Sequence, residues 1–151
     1  MGVQDDTVVV RRFWEEVVGK NDIELMDELF SDNFKLHDLV YKERRRLQDL
    51  KGLVRDTKNA IPGINVEVVD QQLDVDGRVF THFTVHVPRP EGRGYADANT
   101  PSDGWAYTGL SISRLYGGEI HESWVIWEAI RASKELSEPF GAGNWRWPPW
   151  R

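Results

Sequence analysis

The feature that most constrains the fold is a change in the spacing of apolar residues at Pro62 and Gly63. Before this point apolar side chains recur every three or four residues, which predicts helices over 6–18, 23–30 and 47–60. After it they alternate, which predicts strands over 64–69, 72–75, 79–87, 105–115 and 119–127, in addition to an earlier strand over 33–39. Helices followed by strands indicate an α+β fold, with the helices on one face of a curved antiparallel sheet.

The length and composition indicate one domain over residues 1–151, because a chain of this size buries most of its apolar surface in one core. The absence of cysteine excludes disulfides and thiolate metal sites. The N-terminus lacks a basic region followed by an apolar run, and no stretch approaches the roughly 20 apolar residues of a membrane span. We therefore expect a cytoplasmic protein that does not bind membranes.

The net charge of -6 disfavours nucleic-acid binding, which needs a basic surface against the phosphate backbone. The one basic cluster, Lys42 to Arg46, contains Glu43 and leads into the third predicted helix. We interpret it as the solvated start of that helix and not as a nucleic-acid patch.

Two segments are unusual in composition. Residues 88–104 form a long connection rich in Pro, Gly, Asp and Asn, which is either a disordered insertion or a lid. In the second case Tyr95 and Trp105 would close the mouth of a pocket. The tail, 141–151, carries three of the seven tryptophans and is interpreted as a further cover or a dimer contact.

Three stretches, in this order, resemble the SnoaL-like polyketide cyclase family: FWEEVVGKNDIELMDELFSDNFKLHDLV, AIPGINVEVVDQQLDVDGRVFTHFTV and GGEIHESWVIWE. The resemblance spans residues 7–138. It implies the nuclear-transport-factor-two-like fold, a cone of curved sheet with three N-terminal helices around a pocket. It also implies a small, hydrophobic substrate, no cofactor, and a homodimer formed through the outer face of the sheet.

Two relatives suggest roles for single positions. A similar stretch of ketosteroid isomerase places its general base on Asp38 and its hydrogen-bonding tyrosine on Trp14, whereas its second acid falls near Ser111. The acidic residue in the last strand of limonene-epoxide hydrolase and the aldol-type cyclases falls on Val125. The resemblance therefore makes Asp38 the best polar candidate, although Asp38 could instead cap backbone groups at a strand end.

The same comparison indicates a pocket that has lost acid/base groups, because an Arg and an Asp of the epoxide hydrolase fall near Phe83 and Val85. Strand alternation gives one candidate inner face. Its members are Thr81, Phe83, Val85, Tyr107, Gly109, Ser111, His121, Ser123, Val125 and Trp127. A shift of one residue would instead expose His82, Thr84, His86, Trp124 and Glu128 to the interior.

The remaining candidates are titratable or aromatic. His121 would touch the substrate or polarise it, since imidazole titrates near neutrality. Glu128 stands where the family usually has an Asp, and is either an acid/base group or a helix cap. Tyr41 joins the substrate-binding candidates. His82 and His86 lack a third ligand at a suitable spacing, so we expect no metal site.

We therefore expect a cofactor-independent polyketide cyclase, which closes a ring in a linear hydrophobic substrate mainly by conformational restraint, for example in a cycloaddition. One alternative is an aldol-type cyclase or isomerase in which Asp38 is a general base. The other is a binding or interaction module that does no chemistry.

Overall fold

The computed structural model describes residues 3–39, 43–88 and 105–127. Helix α1 (Val3–Arg12) continues directly into a π-helical segment (Phe13–Val18). A 3₁₀ turn (Ile23–Leu25) leads into the short helix α2 (Met26–Leu29), and helix α3 spans Leu47–Ala60. Within these residues, none of the helices is both long enough and apolar enough to cross a bilayer.

One curved sheet of six strands forms the rest of the described chain. The strands are β1 (Phe30–Asp38), β2 (Glu43–Arg46), β3 (Asn65–Leu73), β4 (Arg78–Val87), β5 (Trp105–Tyr116) and β6 (Glu119–Trp127). Their order across the sheet is β2-β1-β6-β5-β4-β3. This α+β arrangement of three helices on a curved, open sheet confirms the predicted fold class.

The pairing of β1 with β6 is parallel, whereas the other four pairings are antiparallel, as predicted. Alternation of apolar residues shows only that a segment is extended and half-buried, and it carries no information about the direction of its neighbour. Strands β1 and β6 are also far apart in the sequence. Their parallel contact could therefore not be predicted from the pattern.

The interpretation of the basic cluster as a helix start was wrong, because Glu43 to Arg46 form strand β2 against β1. The backbone N–H of Arg46 donates to the carboxylate of Asp49 at 3.0 Å, so α3 begins immediately after the strand. Four residues are too few to show a period, and the partner strand supplies the backbone hydrogen bonds that define this segment.

The two strands predicted over 64–69 and 72–75 are one strand, β3. A register shift between Val68 and Asp70 interrupts the inward and outward alternation along it. Because a bulge reverses the face on which each following residue lies, the sequence resembles two short strands. The turn to β4 was predicted correctly, and Gly77 adopts a positive φ of 80° there.

The helices pack on the concave face of the sheet and enclose a single apolar core. Inside it, the indole of Trp14 stacks on the ring of Phe83, with centroids 3.8 Å apart and an angle of 19°. On its other side the Phe83 ring lies against the backbone of Gly109, so close that a Cβ there would be 2.3 Å from the ring. Glycine is therefore required at position 109, because the Phe83 ring leaves no space for a side chain there.

We predict that Gly109→Ala lowers the free energy of unfolding by about 1–3 kcal/mol, because the added methyl group overpacks a fully buried ring. The matched control is Gly52→Ala in α3, where an added Cβ meets nothing within 4 Å. That change should be neutral or stabilise the protein by up to about 1 kcal/mol, since Gly is unfavourable inside a helix. Urea unfolding of both variants measures the difference, and equal stabilities would contradict the packing described.

Candidate functional site

An internal cavity lies between the concave face of the sheet and the helices, with a volume of about 40 Å³. Its walls are mostly apolar. The helical segments contribute Phe13, Trp14, Val18, Leu50, Leu53 and Val54, and the strands contribute Phe30, Phe34, Leu36 and Val125. A space of this size holds only a few water molecules.

Four polar side chains also line the cavity: Asp38, Thr57, Ser113 and Ser123. All four are buried, and Asp38 is only 4% exposed. Among the described lining residues, Asp38 is the only one with an ionisable side chain. The cavity therefore combines one carboxylate with three hydroxyl groups on an otherwise apolar surface.

Asp38 reaches this position because it ends β1 opposite Val125 of β6. The next backbone hydrogen bond, from Leu39 N to Val125 O at 3.1 Å, fixes the end of the strand. Alternation along β1 directs Phe34, Leu36 and Asp38 inward, which the burial of all three reflects. The carboxylate thus occupies a place that the strand pattern reserves for core residues.

Near β4 and β5, described side chains pack against one another on the concave face. The stacked rings of Trp14 and Phe83 occupy it near β4 and β5, and the indole Nε1 of Trp14 donates to the hydroxyl of Ser111 at 3.2 Å. Thr81 is buried beside them and its hydroxyl accepts a hydrogen bond from Gln71 Nε2 at 3.2 Å. The hydroxyl groups of Ser111 and Thr81 therefore form hydrogen bonds with other side chains of the protein.

The structure places the predicted inner-face residues of β4 and β5 on the concave face. In β6 it does so for Ser123 and Val125, which follow the bulge. The buried members are Thr81, Phe83, Val85, Tyr107, Gly109, Ser111, Ser123 and Val125. The alternative face is more exposed, including His82, Thr84, His86 and Trp124. Of the predicted substrate-binding residues whose side chains are described, however, only Trp14, Ser123 and Val125 line the cavity, together with the predicted catalytic residue Asp38.

His121 departs from the predicted alternation. A register shift in the β5–β6 pairing places Ile120 opposite Leu115, so Ile120 is the buried residue and His121 lies beside it at the bulge. Its ring packs edge-on against Tyr116, with centroids 5.1 Å apart. The structure therefore does not bring His121 to the cavity, and the bulge is the physical reason.

Several predicted residues lie outside what the structure describes. Tyr41, Tyr95 and Glu128 are outside the described residues, as are the segment 89–104 and the tail 141–151. Trp105 begins β5 and Trp127 ends β6, and only their backbone positions are described. The roles predicted for these residues remain predictions.

Sequence reasoning missed most of the cavity wall, above all Leu50, Leu53, Val54 and Thr57 of α3. The helix over 47–60 was predicted, but no contact with a pocket was assigned to its residues. Ser113 was also missed, although it lies two residues after Ser111 on the same face of β5. Strand alternation extended by one step would have identified it.

The histidines of the described chain lie away from the cavity. His37 points to the convex face, where its Nε2 donates to Glu122 Oε2 at 2.6 Å and its ring stacks on Trp124. His86 lies 3.5 Å from a carboxylate oxygen of Glu67 on the same face. Among the described side chains, no group of three His, Cys, Asp or Glu residues is arranged to hold a metal ion.

A second concavity, of about 300 Å³, lies on the convex face of the sheet. Its apolar floor includes Phe80, Leu110 and Ile126, which are 39%, 53% and 45% exposed. Apolar side chains grouped in this way on a sheet face are typical of a surface that contacts another protein.

A family model of the SnoaL-like domain matches residues 10–122. The chain therefore belongs to the family of SnoaL-like domains, and the resemblance inferred from the sequence is confirmed. No curated protein matches the chain.

Several solved structures are similar to this chain. IdmH from Streptomyces antibioticus, a proposed polyketide cyclase, has 19% identity and a TM-score of 0.70, over 87% of this chain and 98% of its own. A proposed polyketide cyclase from Bacillus cereus ATCC 10987 has 18% identity and a TM-score of 0.67, over 90% and 80%. PrhC from Penicillium brasilianum NBRC 6234 has 10% identity and a TM-score of 0.73, over 93% and 91%. At such identities the likeness shows the fold.

We predict that Leu53→Ala enlarges the cavity and lowers the free energy of unfolding by about 2–5 kcal/mol. An enlarged apolar cavity binds benzene, so benzene should raise the melting temperature of this variant. Leu115→Ala is the control, because Leu115 is equally buried and is not among the residues that line the cavity. Equal stabilisation of both variants by benzene would contradict the assignment of Leu53 to the cavity wall.

Proposed function

We propose that this protein is a cofactor-independent cyclase of natural-product type, which closes a ring in a linear, hydrophobic substrate mainly by conformational restraint. Membership of the SnoaL-like family and the similarity to proposed polyketide cyclases support the class of reaction. The observation that carries the proposal is the buried carboxylate of Asp38 in a cavity with apolar walls.

The composition of the cavity wall supports conformational restraint of the substrate as the main contribution to catalysis. Apolar side chains from two helical segments and several strands surround the space on many sides, which suits a folded hydrocarbon chain. Holding the two reacting ends of such a chain close together contributes up to about 7–11 kcal/mol in ideal cases. In this proposal Asp38 anchors or polarises the one polar part of the substrate.

The absence of a second ionisable group among the described lining residues limits acid/base chemistry. Val125, where the aldol-type relatives were inferred to carry an acid, is a buried part of the wall. Phe83 and Val85 are buried in the filled region of the concave face. The alternative enzyme mechanism therefore depends on Asp38 alone as a general base.

A second candidate function, an interaction or binding module without catalysis, is favoured by the size of the cavity. Sites for small molecules usually have volumes of about 300–1,000 Å³, whereas this cavity has about 40 Å³. A ring-forming substrate therefore requires the wall contributed by α3 to move away from the sheet. A protein in which that movement does not occur would use its surfaces and not its interior.

We predict that Asp38→Asn reduces the rate of ring closure by less than about tenfold, since restraint by the apolar wall is retained. A true general base would instead contribute about 100-fold or more. The measurement is single-turnover kinetics with a linear, mainly hydrocarbon thioester that carries a diene and an alkene and that the unmodified chain cyclises. Asp76→Asn is the control, because Asp76 is exposed in the β3–β4 turn.

Two results would contradict the proposal in different ways. A loss of 100-fold or more in Asp38→Asn, with unchanged circular dichroism, would establish base catalysis in place of restraint. Failure of the unmodified chain to bind or convert any member of a panel of such thioesters would support the interaction module.

We also propose that the protein is a homodimer formed through the convex face of the sheet. The exposed apolar side chains Phe80, Leu110 and Ile126 support this proposal, because burial of such a surface stabilises association. A homodimer interface of this kind brings the same patch of both copies together around a twofold axis.

We predict that Leu110→Glu converts the dimer to a monomer, because each copy would bury a carboxylate in an apolar contact. Val75→Glu is the matched control, since Val75 is fully exposed in the β3–β4 turn and does not line the convex groove. Light scattering coupled to size exclusion gives the molar mass of each variant. A dimer that survives Leu110→Glu, or an unmodified chain that is monomeric, would exclude this interface.

A further inference from the structure

Two serine hydroxyl groups meet in the wall of the cavity. Ser113 of β5 and Ser123 of β6 are directly opposite in the antiparallel register, and their Oγ atoms are 2.8 Å apart. Both side chains are buried, with exposures of 2% and 7%, and both line the cavity. They lie on the same concave face as Asp38, in the part of the fold that side chains do not fill.

The number of protons in this pair determines what it can do. Each hydroxyl group has one proton to donate and two lone pairs. The bond between the two oxygens uses one of the two protons, whichever serine is the donor. The pair therefore retains one further O–H group, and its place in the cavity wall makes that group available to an acceptor inside the cavity. Donation along such a chain of hydroxyl groups strengthens the terminal hydrogen bond.

The strand register relates this donor to Asp38. Leu36 of β1 lies beside Ser123, and Asp38 lies beside Val125, so Asp38 and Ser123 are displaced by two residues along neighbouring strands. Two residues correspond to about 6–7 Å along a strand. A carbonyl group that accepts a hydrogen bond from the serine pair would therefore share the cavity wall with the Asp38 side chain, two residues away along the neighbouring strand.

We infer that the pair formed by Ser113 and Ser123 is the hydrogen-bonding end of the cavity, where it takes the carbonyl oxygen of a ketone or ester ligand. This inference rests on the proposed function, since it assumes that the cavity receives a ligand. The sequence had suggested Asp38, Tyr107 or His121 as the group that anchors or polarises a carbonyl. The inference adds the serine pair to Asp38 in this role, whereas Tyr107 and His121 do not line the cavity.

The test uses two probes of nearly the same shape, cyclopentanone and methylenecyclopentane, which differ in having C=O or C=CH₂. Each is titrated by nuclear magnetic resonance into the full chain and into the Leu53→Ala chain, in which the cavity is larger. The double substitution of Ser113→Ala with Ser123→Ala removes both O–H groups and should weaken ketone binding about 5- to 10-fold, the usual contribution of one hydrogen bond. Each single substitution leaves one O–H group, so a loss of this size is expected in a single variant only where it removes the serine that donates to the ketone. Binding of the hydrocarbon should change less than about twofold.

The control substitution is Ser31→Ala. Ser31 is also 7% exposed, but its hydroxyl accepts a hydrogen bond from the backbone N–H of Asn33 and does not line the cavity. It should leave the affinity for both probes unchanged. The infrared stretching frequency of the bound ketone is a second measurement, because a hydrogen-bonded carbonyl absorbs at lower frequency. In the chain that carries both Ser113→Ala and Ser123→Ala this frequency should rise.

The outcomes separate this inference from the proposed function. Ketone affinity and carbonyl frequency that are unchanged in the doubly substituted chain would overturn the inference while leaving a ligand-binding cavity. Binding of neither probe to either chain would overturn the inference together with the proposed function. If the doubly substituted chain does not fold, the two single variants replace it, and an unchanged carbonyl frequency in both would overturn the inference, because loss of either hydroxyl group alters the hydrogen-bonded chain that ends on the ketone.

Discussion

The site depends on the parallel contact between β1 and β6. Without it, β2 would be the one strand beside the end of β1, and Asp38 would lie at the edge of a two-stranded hairpin. The contact places Asp38 beside Val125 and Leu36 beside Ser123, which brings a carboxylate and a hydroxyl group to one face. It also places β1 between β2 and β6, so that α3, which follows β2 directly, packs over the same region. The positions of the Asp38 carboxylate, of the serine pair and of the apolar wall therefore all depend on this strand pairing.

A second constraint, the stack of Trp14 on Phe83 on Gly109, divides the interior of the fold. Because Gly109 has no side chain, the ring of Phe83 packs closely against β5, and the indole of Trp14 stacks on that ring. The donation from Trp14 to Ser111 satisfies the polar atoms of this region, which makes it a core. The open volume is displaced toward β1, β6 and α3, away from most of the residues that a simple inner face would include.

The sequence predicted the fold class, the helix α3 and four of the strands because each rests on local periodicity and turn residues. It failed where position depends on a distant partner. Strand β2 is defined by its pairing with β1. The bulges near Val68 and at His121 reverse the face of the sheet on which the following residues lie, and the residue types there do not indicate a bulge. The resemblance to the family correctly directed attention to Asp38 as a buried residue of the cavity. It could not show that Phe83 and Tyr107 are core residues, since the same face of the sheet carries both core residues and cavity-lining residues.

The polar groups of the cavity also limit its chemistry. One carboxylate can remove a proton and return it to the same molecule, but it cannot act as acid and base at two separated atoms in one step. The hydroxyl groups of Ser113 and Ser123 donate hydrogen bonds without changing charge. Reactions that need a separate strong acid and base therefore fit poorly to the described residues. A ring closure that conserves protons within the substrate, and that depends on how the chain is held, fits them well.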